Sequence, residues 1–299
     1  MSRVSDRMRF ASTDNRIAAA KSFADETQET AISGRKLRSI SSDPVSTVRM
    51  LRNRNKVDNI GQFRKTIDFA KGYLSKTEDA LRDMTESLMR CKELSVQQSN
   101  GTWDAETRSI VGEEVRNLAE QVVQLGNSTF ADKFVFGGFR NGQPPISPDG
   151  TYGGDDGTIF VQVDEDSFRP INISGRDIFE VKPEQEASSE PLVHTILGIF
   201  DSLSTNDVEG LRKNMSRLDV ALDQTIKATA SIGAKQAALD GVSMRLDKGE
   251  ETYLAENNQL EGADQVKMAM DLKRAEGALN FTLQSSSNIL QPTLLNFLK

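Results

Sequence analysis

The sequence has very few residues of the types that carry out catalysis or bind metal ions. Among 299 residues there is one cysteine, Cys91, and one histidine, His194. A single cysteine excludes an intrachain disulfide framework, and a single histidine excludes most histidine-based metal sites and Cys–His nucleophile pairs. We therefore predict that the protein is not an enzyme and has no catalytic residue, no cofactor and no bound metal.

Apolar residues are also scarce. They make up 37% of the chain, and aromatic residues make up 6%, which is less than compact domains of this length normally contain and favours an elongated structure. No run approaches the roughly 18 apolar residues of a membrane-spanning helix. The first ten residues lack the apolar segment of a cleaved secretory signal. We expect a soluble protein without membrane contact, and any export by a route without a cleaved signal.

Charge is unevenly distributed along the chain. The formal net charge is −7, with 12 basic and 6 acidic residues in positions 1–56 but 3 basic and 11 acidic residues in positions 141–195. The overall negative charge argues against a nucleic-acid-binding protein, and the basic N-terminal region lacks the aromatic residues that stack on bases. We infer that the two regions face different surroundings.

Two long tracts of heptad repeat flank the middle of the chain. In residues 45–99 and again in residues 208–260, apolar side chains recur at seven-residue steps, which is typical of long helices that pack as coiled coils. Between them, residues 102–126 have the spacing of one amphipathic helix, which we expect to fold back antiparallel on the first tract. The predicted bundle core consists of Ile60, Ile67, Leu74, Leu81, Leu88, Val115, Leu118, Val122, Leu218, Ile232, Leu239 and Leu246. Cys91 falls at a core position and is interpreted as a packed hydrophobic residue.

The middle of the chain has a different pattern. Residues 141–191 are rich in Gly and Pro, and two alternating segments, 158–163 and 168–173, flank Asp164, Glu165 and Asp166, which predicts a β-hairpin. The acidic segment 149–157 lacks the ligand spacing of an EF-hand loop, so we interpret it as a solvated loop. Residues 137–142 do not begin a helix as a phosphate-binding loop does.

Together these patterns predict a mainly α protein. We expect an elongated, antiparallel, coiled-coil-like helical bundle built from the N- and C-terminal tracts, with a small β-rich insertion. Residues 45–140 and 192–262 form the bundle, residues 141–191 form the insertion, and residues 1–44 and 263–299 form a helical domain made from both termini.

Both ends of the chain carry more large apolar residues than solvated tails usually do. A monomer would expose these residues, so we predict that the two ends associate with each other and then with other copies of the chain. The predicted assembly interface consists of Val4, Met8, Phe10, Ile17, Leu283, Leu290, Leu294, Leu295, Phe297 and Leu298.

Several short motifs resemble those of a known family. They are Arg3-Val4-Ser5, Ile32-Ser33-Gly34-Arg35-Lys36-Leu37, Ser41-Ser42-Asp43-Pro44, Asn100-Gly101-Thr102, Asp132-Lys133-Phe134-Val135-Phe136-Gly137-Gly138, Ser174-Gly175-Arg176-Asp177-Ile178-Phe179 and residues 283–292. The motifs within residues 3–5, 32–44 and 283–292 resemble the bacterial flagellin family, and those at residues 100–102, 132–138 and 174–179 are most similar to its hook-associated members. The resemblance covers nearly all of the chain, though its middle third only loosely. Filament flagellins continue with Ala-Gly-Leu-Ala after the Asp-Pro pair, whereas this chain has Val45-Ser46-Thr47-Val48. It is therefore more similar to the hook-associated members of the family than to the filament subunits.

The resemblance implies a structural protein of the bacterial flagellum, located at the junction between hook and filament and needed for motility. It also implies a D0 domain made from both termini, a D1 helical bundle and an outer D2 insertion. Export through the flagellum's own type III channel would place the protein outside the cell. The implied partners are other copies of this chain, a neighbouring hook-associated protein, flagellin subunits and an export chaperone, with no nucleic acid and no membrane.

Two other functions remain open from the sequence. One is a short, divergent flagellin that forms the filament itself, and the other is a coiled-coil adaptor that does not polymerise. Self-assembly of the purified protein would distinguish a filament subunit from a junction protein, because a junction protein should not elongate alone. An extracellular location would distinguish a junction protein from an adaptor.

Overall fold

The computed structural model describes residues 2–34, 43–99, 105–182, 189–262 and 264–295. In these residues the helices are α1 (Ser2–Ser33), α2 (Pro44–Ser99), α3 (Ala105–Gly126), α4 (Arg176–Phe179), α5 (Leu192–Ser204), α6 (Val208–Glu261) and α7 (Gln265–Leu295). Antiparallel pairs join β1 (Thr129–Phe130) to β2 (Lys133–Phe134), β3 (Phe160–Asp164) to β4 (Ser167–Pro170), and β5 (Glu180–Val181) to β6 (Glu190–Pro191). The prediction of a mainly α fold with a small β region is confirmed. Within the described ranges, no helix is both long enough and apolar enough to cross a membrane.

The chain divides into two compact units, and each boundary falls inside a long helix. Unit 1 comprises Met1–Asp58 and Gly249–Lys299, and unit 2 comprises Asn59–Lys248. Residues 141–191 belong to unit 2 together with the helices around them. The division into five segments that we drew from the sequence stays a prediction.

The bounds of α1 and α2 follow from local chemistry. Asp43 precedes α2, and its carboxylate accepts hydrogen bonds from the backbone N–H of Ser46 (3.1 Å) and from the Ser46 hydroxyl (2.6 Å). Such a cap satisfies a backbone donor that has no partner within the helix, and Pro44 occupies the first helical position, where no donor is needed. Gly34 ends α1 with φ +66°, a left-handed conformation that glycine adopts without strain.

In unit 2, α2 and α6 run antiparallel. The Lys71 ammonium lies 2.6 Å from the Asp240 carboxylate, and the Lys92 ammonium lies 2.7 Å from the Asp219 carboxylate. Twenty-one residues along α2 are therefore matched by twenty-one residues back along α6. Exposed ion pairs of this kind contribute little stability, about 0–1 kcal/mol each. The stability of the pair must come from the apolar seam between the helices.

The apolar seam contains the heptad positions of both helices. The buried members are Ile60, Ile67, Leu74, Leu81, Leu88, Cys91, Leu218, Ile232, Leu239 and Leu246. In α3, Val115 and Val122 are buried. Leu118 is only half-buried, whereas its neighbour Ala119 is buried. The inclusion of Leu118 in the core therefore needs correction.

The chain after α2 runs back along that helix, as predicted. An ion pair of 2.8 Å joins Arg90 to Glu114 near one end. Further along, the Phe130 ring packs edge-on against Phe69 and Tyr73, at centroid distances of 5.4 and 6.1 Å. These contacts place the β1–β2 turn against the middle of α2.

The predicted hairpin is present, with strands shorter than the sequence pattern suggested. Phe160 pairs with Pro170 and Gln162 pairs with Phe168, and the register shifts before Asp164. Beyond the strands, the backbone N–H of Ile171 still donates to the Ile159 carbonyl oxygen at 3.0 Å, but the backbone N–H of Ile159 donates to Oδ1 of the Asn172 side chain at 2.8 Å. The predicted strands end early because this side chain replaces one of the two backbone bonds at the next cross-strand pair.

Candidate assembly surfaces

The terminal helices α1 and α7 pack against each other in unit 1. Among the side chains that the structure describes on these two helices, the buried ones are small or polar: Thr13, Ala275 and Ser286. Eight large apolar side chains on the same helices are exposed instead, and we call them the terminal apolar residues: Met8, Phe10, Phe23, Ile32, Val266, Met270, Phe281 and Leu283. Isolated exposed apolar residues are ordinary, but eight on one helix pair make these helices a candidate assembly surface.

The structure describes part of the predicted assembly interface. Met8, Phe10 and Leu283 are exposed, and Ile17 is half-buried. Four more residues lie within α1 or α7, but their side chains fall outside the described part: Val4, Leu290, Leu294 and Leu295. Phe297 and Leu298 lie outside the described residues. The role of these residues in assembly stays a prediction.

Sequence reasoning missed five of the terminal apolar residues: Phe23, Ile32, Val266, Met270 and Phe281. Phe23 and Ile32 lie on α1, which has no single apolar face that would single them out, and Val266, Met270 and Phe281 lie on α7. Side-chain size was the available signal, because the described side chains that the helix pair buries are small or polar, whereas the eight that it exposes are large.

Polar residues occupy the seam between α2 and α6 in unit 1. Asn53 is buried and its amide nitrogen donates to the Glu256 carboxylate at 3.0 Å, while Arg54 pairs with Glu261 at 2.6 Å. Asn257 is buried as well, and its carboxamide oxygen has no partner within the described ranges. Polar groups in a helix seam specify register but reduce stability. This part of the seam is therefore weaker than the leucine-rich seam of unit 2.

The N-terminal end of α2 presents a basic and apolar surface. Val45, Val48, Arg49 and Arg52 lie three, four and seven residues apart on one helix face and, with Pro44, line a groove of about 450 Å³. Val45 is 76% exposed, and neither arginine pairs with a carboxylate of the described residues. We call this surface the basic groove.

The β3–β4 hairpin is apolar on both faces. Val163 is fully buried on one face, which lies along α6: Asp164 pairs with Arg245 at 3.2 Å at the turn. On the other face, Phe160 and Phe168 are 59% and 60% exposed. Phe160 pairs with Pro170, and Phe168 pairs with Gln162, two residues along β3 from Phe160. Both rings therefore lie on the same side of the two-stranded ladder. We call this side the hairpin face.

The carboxylate of Asp155 makes hydrogen bonds with backbone groups of the surrounding loops. It accepts from the backbone N–H groups of Phe139 (2.6 Å) and Gly157 (3.0 Å), and these hydrogen bonds lower the pKa of its carboxyl. Gly138, at φ +64°, is required because a Cβ there would lie 2.1 Å from the carboxylate oxygen. The His194 ring nitrogen lies 2.8 Å from the Asp149 carbonyl oxygen.

The interpretation of residues 149–157 as a solvated loop was therefore wrong in part. The Asp155 side chain accepts from the backbone N–H groups of Phe139 and Gly157, and Gly150 is buried against Val193. Sequence alone could not show the bond to Phe139, because its partners are 16 positions apart. Among the described residues, no cluster of three His, Cys, Asp or Glu side chains is arranged to hold a metal ion.

Two ionisable groups in the core are held in their neutral forms. Burial raises the pKa of the Cys91 thiol to about 12, although a hydrogen bond with Ser95 opposes this shift. Burial also raises the pKa of the Tyr73 hydroxyl to about 12. Cys91 is fully enclosed, and only the thiolate is a strong nucleophile. Its role is packing.

Comparisons with known proteins identify relatives of this fold and sequence. Residues 4–139 match the family model of the bacterial flagellin N-terminal helical region. Flagellar hook-associated protein 3 of Escherichia coli strain K12 is 24% identical over 275 residues, which cover 88% of this chain and 84% of that protein. The protein of the same name from Salmonella typhimurium is 23% identical over 236 residues, which cover 76% of this chain and 72% of that protein. The crystal structure of Bacillus cereus FlgL superposes with a TM-score of 0.61 at 21% identity, covering 69% of this chain and 99% of that one.

Proposed function

Because this chain belongs to the flagellin family, we propose that it is a structural subunit of the bacterial flagellum that joins the hook to the filament. The relatives named flagellar hook-associated protein 3 align over most of their own length and most of this chain. The single observation that supports an assembly role best is the set of terminal apolar residues, which the α1–α7 pair leaves exposed.

The terminal helices explain why such a subunit would assemble. Fully burying one large apolar side chain contributes about 1.5–3 kcal/mol, whereas association costs an estimated 4–15 kcal/mol in lost translational and rotational freedom. One or two contacts therefore do not hold a neighbour, whereas several of the eight exposed side chains buried together are comparable in free energy to this cost. Assembly is then cooperative, because a subunit needs several neighbours at once.

The other proposed properties follow from this role. α1 and α7 belong to a D0 domain in contact with neighbouring subunits, the α2, α3 and α6 helices form D1, and the hairpin region is the outer D2 insertion. The partners are other copies of this chain, a neighbouring hook-associated protein on one side and flagellin on the other, with an export chaperone before secretion. The location is extracellular, reached through the type III channel, and the role is structural and not enzymatic.

A deletion strain of the source bacterium tests the proposal. We expect its flagella to end at the hook, with flagellin shed into the medium, and a plasmid copy of the gene to restore filaments. Immunogold labelling should place the protein at the hook tip. Hooks that carry normal filaments in the deletion strain would disprove the junction role. Purified protein that elongates into fibres without other components would favour a filament subunit instead.

A further inference from the structure

Two exposed apolar surfaces on this chain have opposite charges and no cover from any described residue. One is the hairpin face, with Phe160 and Phe168, and the other is the basic groove at the start of α2. We propose that the hairpin face of one copy docks into the basic groove of a second copy. This inference rests on the proposed assembly role and names the surfaces that two copies use.

The hairpin face carries an acidic turn directly beside its aromatic pair. Asp164 ends β3, Glu165 and Asp166 join it to β4, and Asp164 pairs with Arg245 of α6 at 3.2 Å. Asp166 is exposed and makes no hydrogen bond or ion pair with a described residue. A surface that joins exposed phenyl rings to an unneutralised carboxylate fits a partner that is apolar and basic.

The basic groove has that chemistry. Val45 and Val48 provide an apolar floor, and Arg49 and Arg52 provide two guanidinium groups that no described carboxylate neutralises. Guanidinium groups also stack on aromatic rings, so they suit Phe160 and Phe168 as well as Asp166. Charge complementarity on one chain therefore favours a second copy over an unrelated partner.

The expected contact is weak and directional. A phenylalanine presents about 150–250 Å² when fully exposed, so two rings at about 60% exposure contribute roughly 200–300 Å² on one side, well below the roughly 800 Å² per partner of a stable interface. Between free chains the contact would be transient, and it would persist only together with other subunit contacts, which raise the effective concentration of the two surfaces. Because the two surfaces differ, the contact is heterologous and adds copies in a ring or a helical row.

Disulfide trapping between purified single-cysteine chains tests the contact without flagella. Both chains carry Cys91→Ala; one also carries Val45→Cys in the groove and the other carries Gln162→Cys on the hairpin face, which keeps both phenyl rings. The control mixture pairs the Val45→Cys chain with a chain that carries Ile226→Cys, at an exposed position on α6. In mildly oxidising buffer we expect mixed disulfide dimers to form several-fold faster in the test mixture than in the control mixture. Equal rates for the two mixtures would overturn the inference.

Charge reversal adds a second readout on the same mixture. Asp166→Lys or Arg52→Glu should each slow trapping by about two- to five-fold, the range of one exposed ion pair, and the two reversals placed on opposite chains should restore it. Asp68→Lys makes the same charge change on an exposed residue of α2 and should have no effect. The inference would also be overturned if each reversal slowed trapping but the mixture of the two reversed chains trapped no faster than either single reversal. The deletion strain tests the junction role separately, so each idea can fail alone.

Discussion

The Tyr73 hydroxyl donates a hydrogen bond of 2.6 Å to the backbone carbonyl oxygen of Val135, inside the core of unit 2. The bond connects the middle of α2 to the segment that follows the β1–β2 turn. Both partners are buried, so no water replaces the bond when it is lost. The position of the returning chain on α2 depends on this contact together with the packing of Phe130.

Tyr73→Phe should therefore destabilise the protein and change its response to alkaline pH. Leaving the Val135 carbonyl without a donor costs about 1–3 kcal/mol. The pKa of Tyr73 is about 12 in the folded state, against 10.0 for an unperturbed tyrosine, so its contribution is complete below pH 10 and is lost as pH rises through 12. Urea melts at pH 8 and pH 11 would check this. A variant whose stability falls as steeply as the wild type's over that range would contradict the assignment.

Leu74→Ala tests the heptad seam. Leu74 is fully buried, and truncating a buried leucine costs about 2–5 kcal/mol through lost burial and the cavity left behind. Asp68→Asn, on the exposed side of the same helix, is the matched control and should change the free energy of unfolding by less than about 0.5 kcal/mol. Urea denaturation of both variants gives the comparison. Equal losses would mean that the seam does not carry the stability of unit 2.

The helices were predictable from the sequence because their cause is periodic. Ile67, Leu74 and Leu81 repeat every seven residues, and Asp43 and Gly34 are typical residues for a helix start and end. The packing of α1 and α7 was not predictable in this way, since it buries Ala275 and Thr13 and exposes Phe281. The sequence predicts that both ends are assembly surfaces, but it could not show which side chains the helix pair leaves exposed.

Asp155→Asn should weaken the insertion in a pH-dependent way. The folded-state pKa of this carboxyl is lowered by the backbone N–H groups of Phe139 and Gly157, so its contribution is present above the unfolded pKa of about 3.9 and is lost as pH falls through the lower folded value. We expect the variant and the wild type to differ near pH 7 and to converge in acid. Asp177→Asn, an exposed carboxylate in the same region, is the control. A constant difference across this pH range would count against the assigned cause.

Ala131→Gly should stabilise the protein. Ala131 and Asp132 form the two-residue turn between β1 and β2, with φ +47° and +61°, and alanine is strained in this left-handed region while glycine is not. The gain should be a few tenths to about 1 kcal/mol, because glycine also increases the entropy of the unfolded chain. Thermal melts of the two proteins measure it, with Ala237→Gly on α6 as a control that should lose stability.

The last prediction separates assembly from monomer stability on the terminal helices. Phe281 is 76% exposed on α7, whereas Ala275, two turns earlier on the same helix, is fully buried. Phe281→Gln removes apolar surface that touches solvent in the monomer, so the free energy of unfolding should change by less than about 0.5 kcal/mol. Ala275→Leu forces extra volume into the α1–α7 contact and should cost about 1–3 kcal/mol. In the complemented deletion strain, Phe281→Gln should reduce swimming and immunogold labelling at the hook tip although its melt is normal. If Phe281→Gln destabilises the monomer as much as Ala275→Leu does, or assembles and swims like the wild type, the terminal apolar residues do not form the assembly surface.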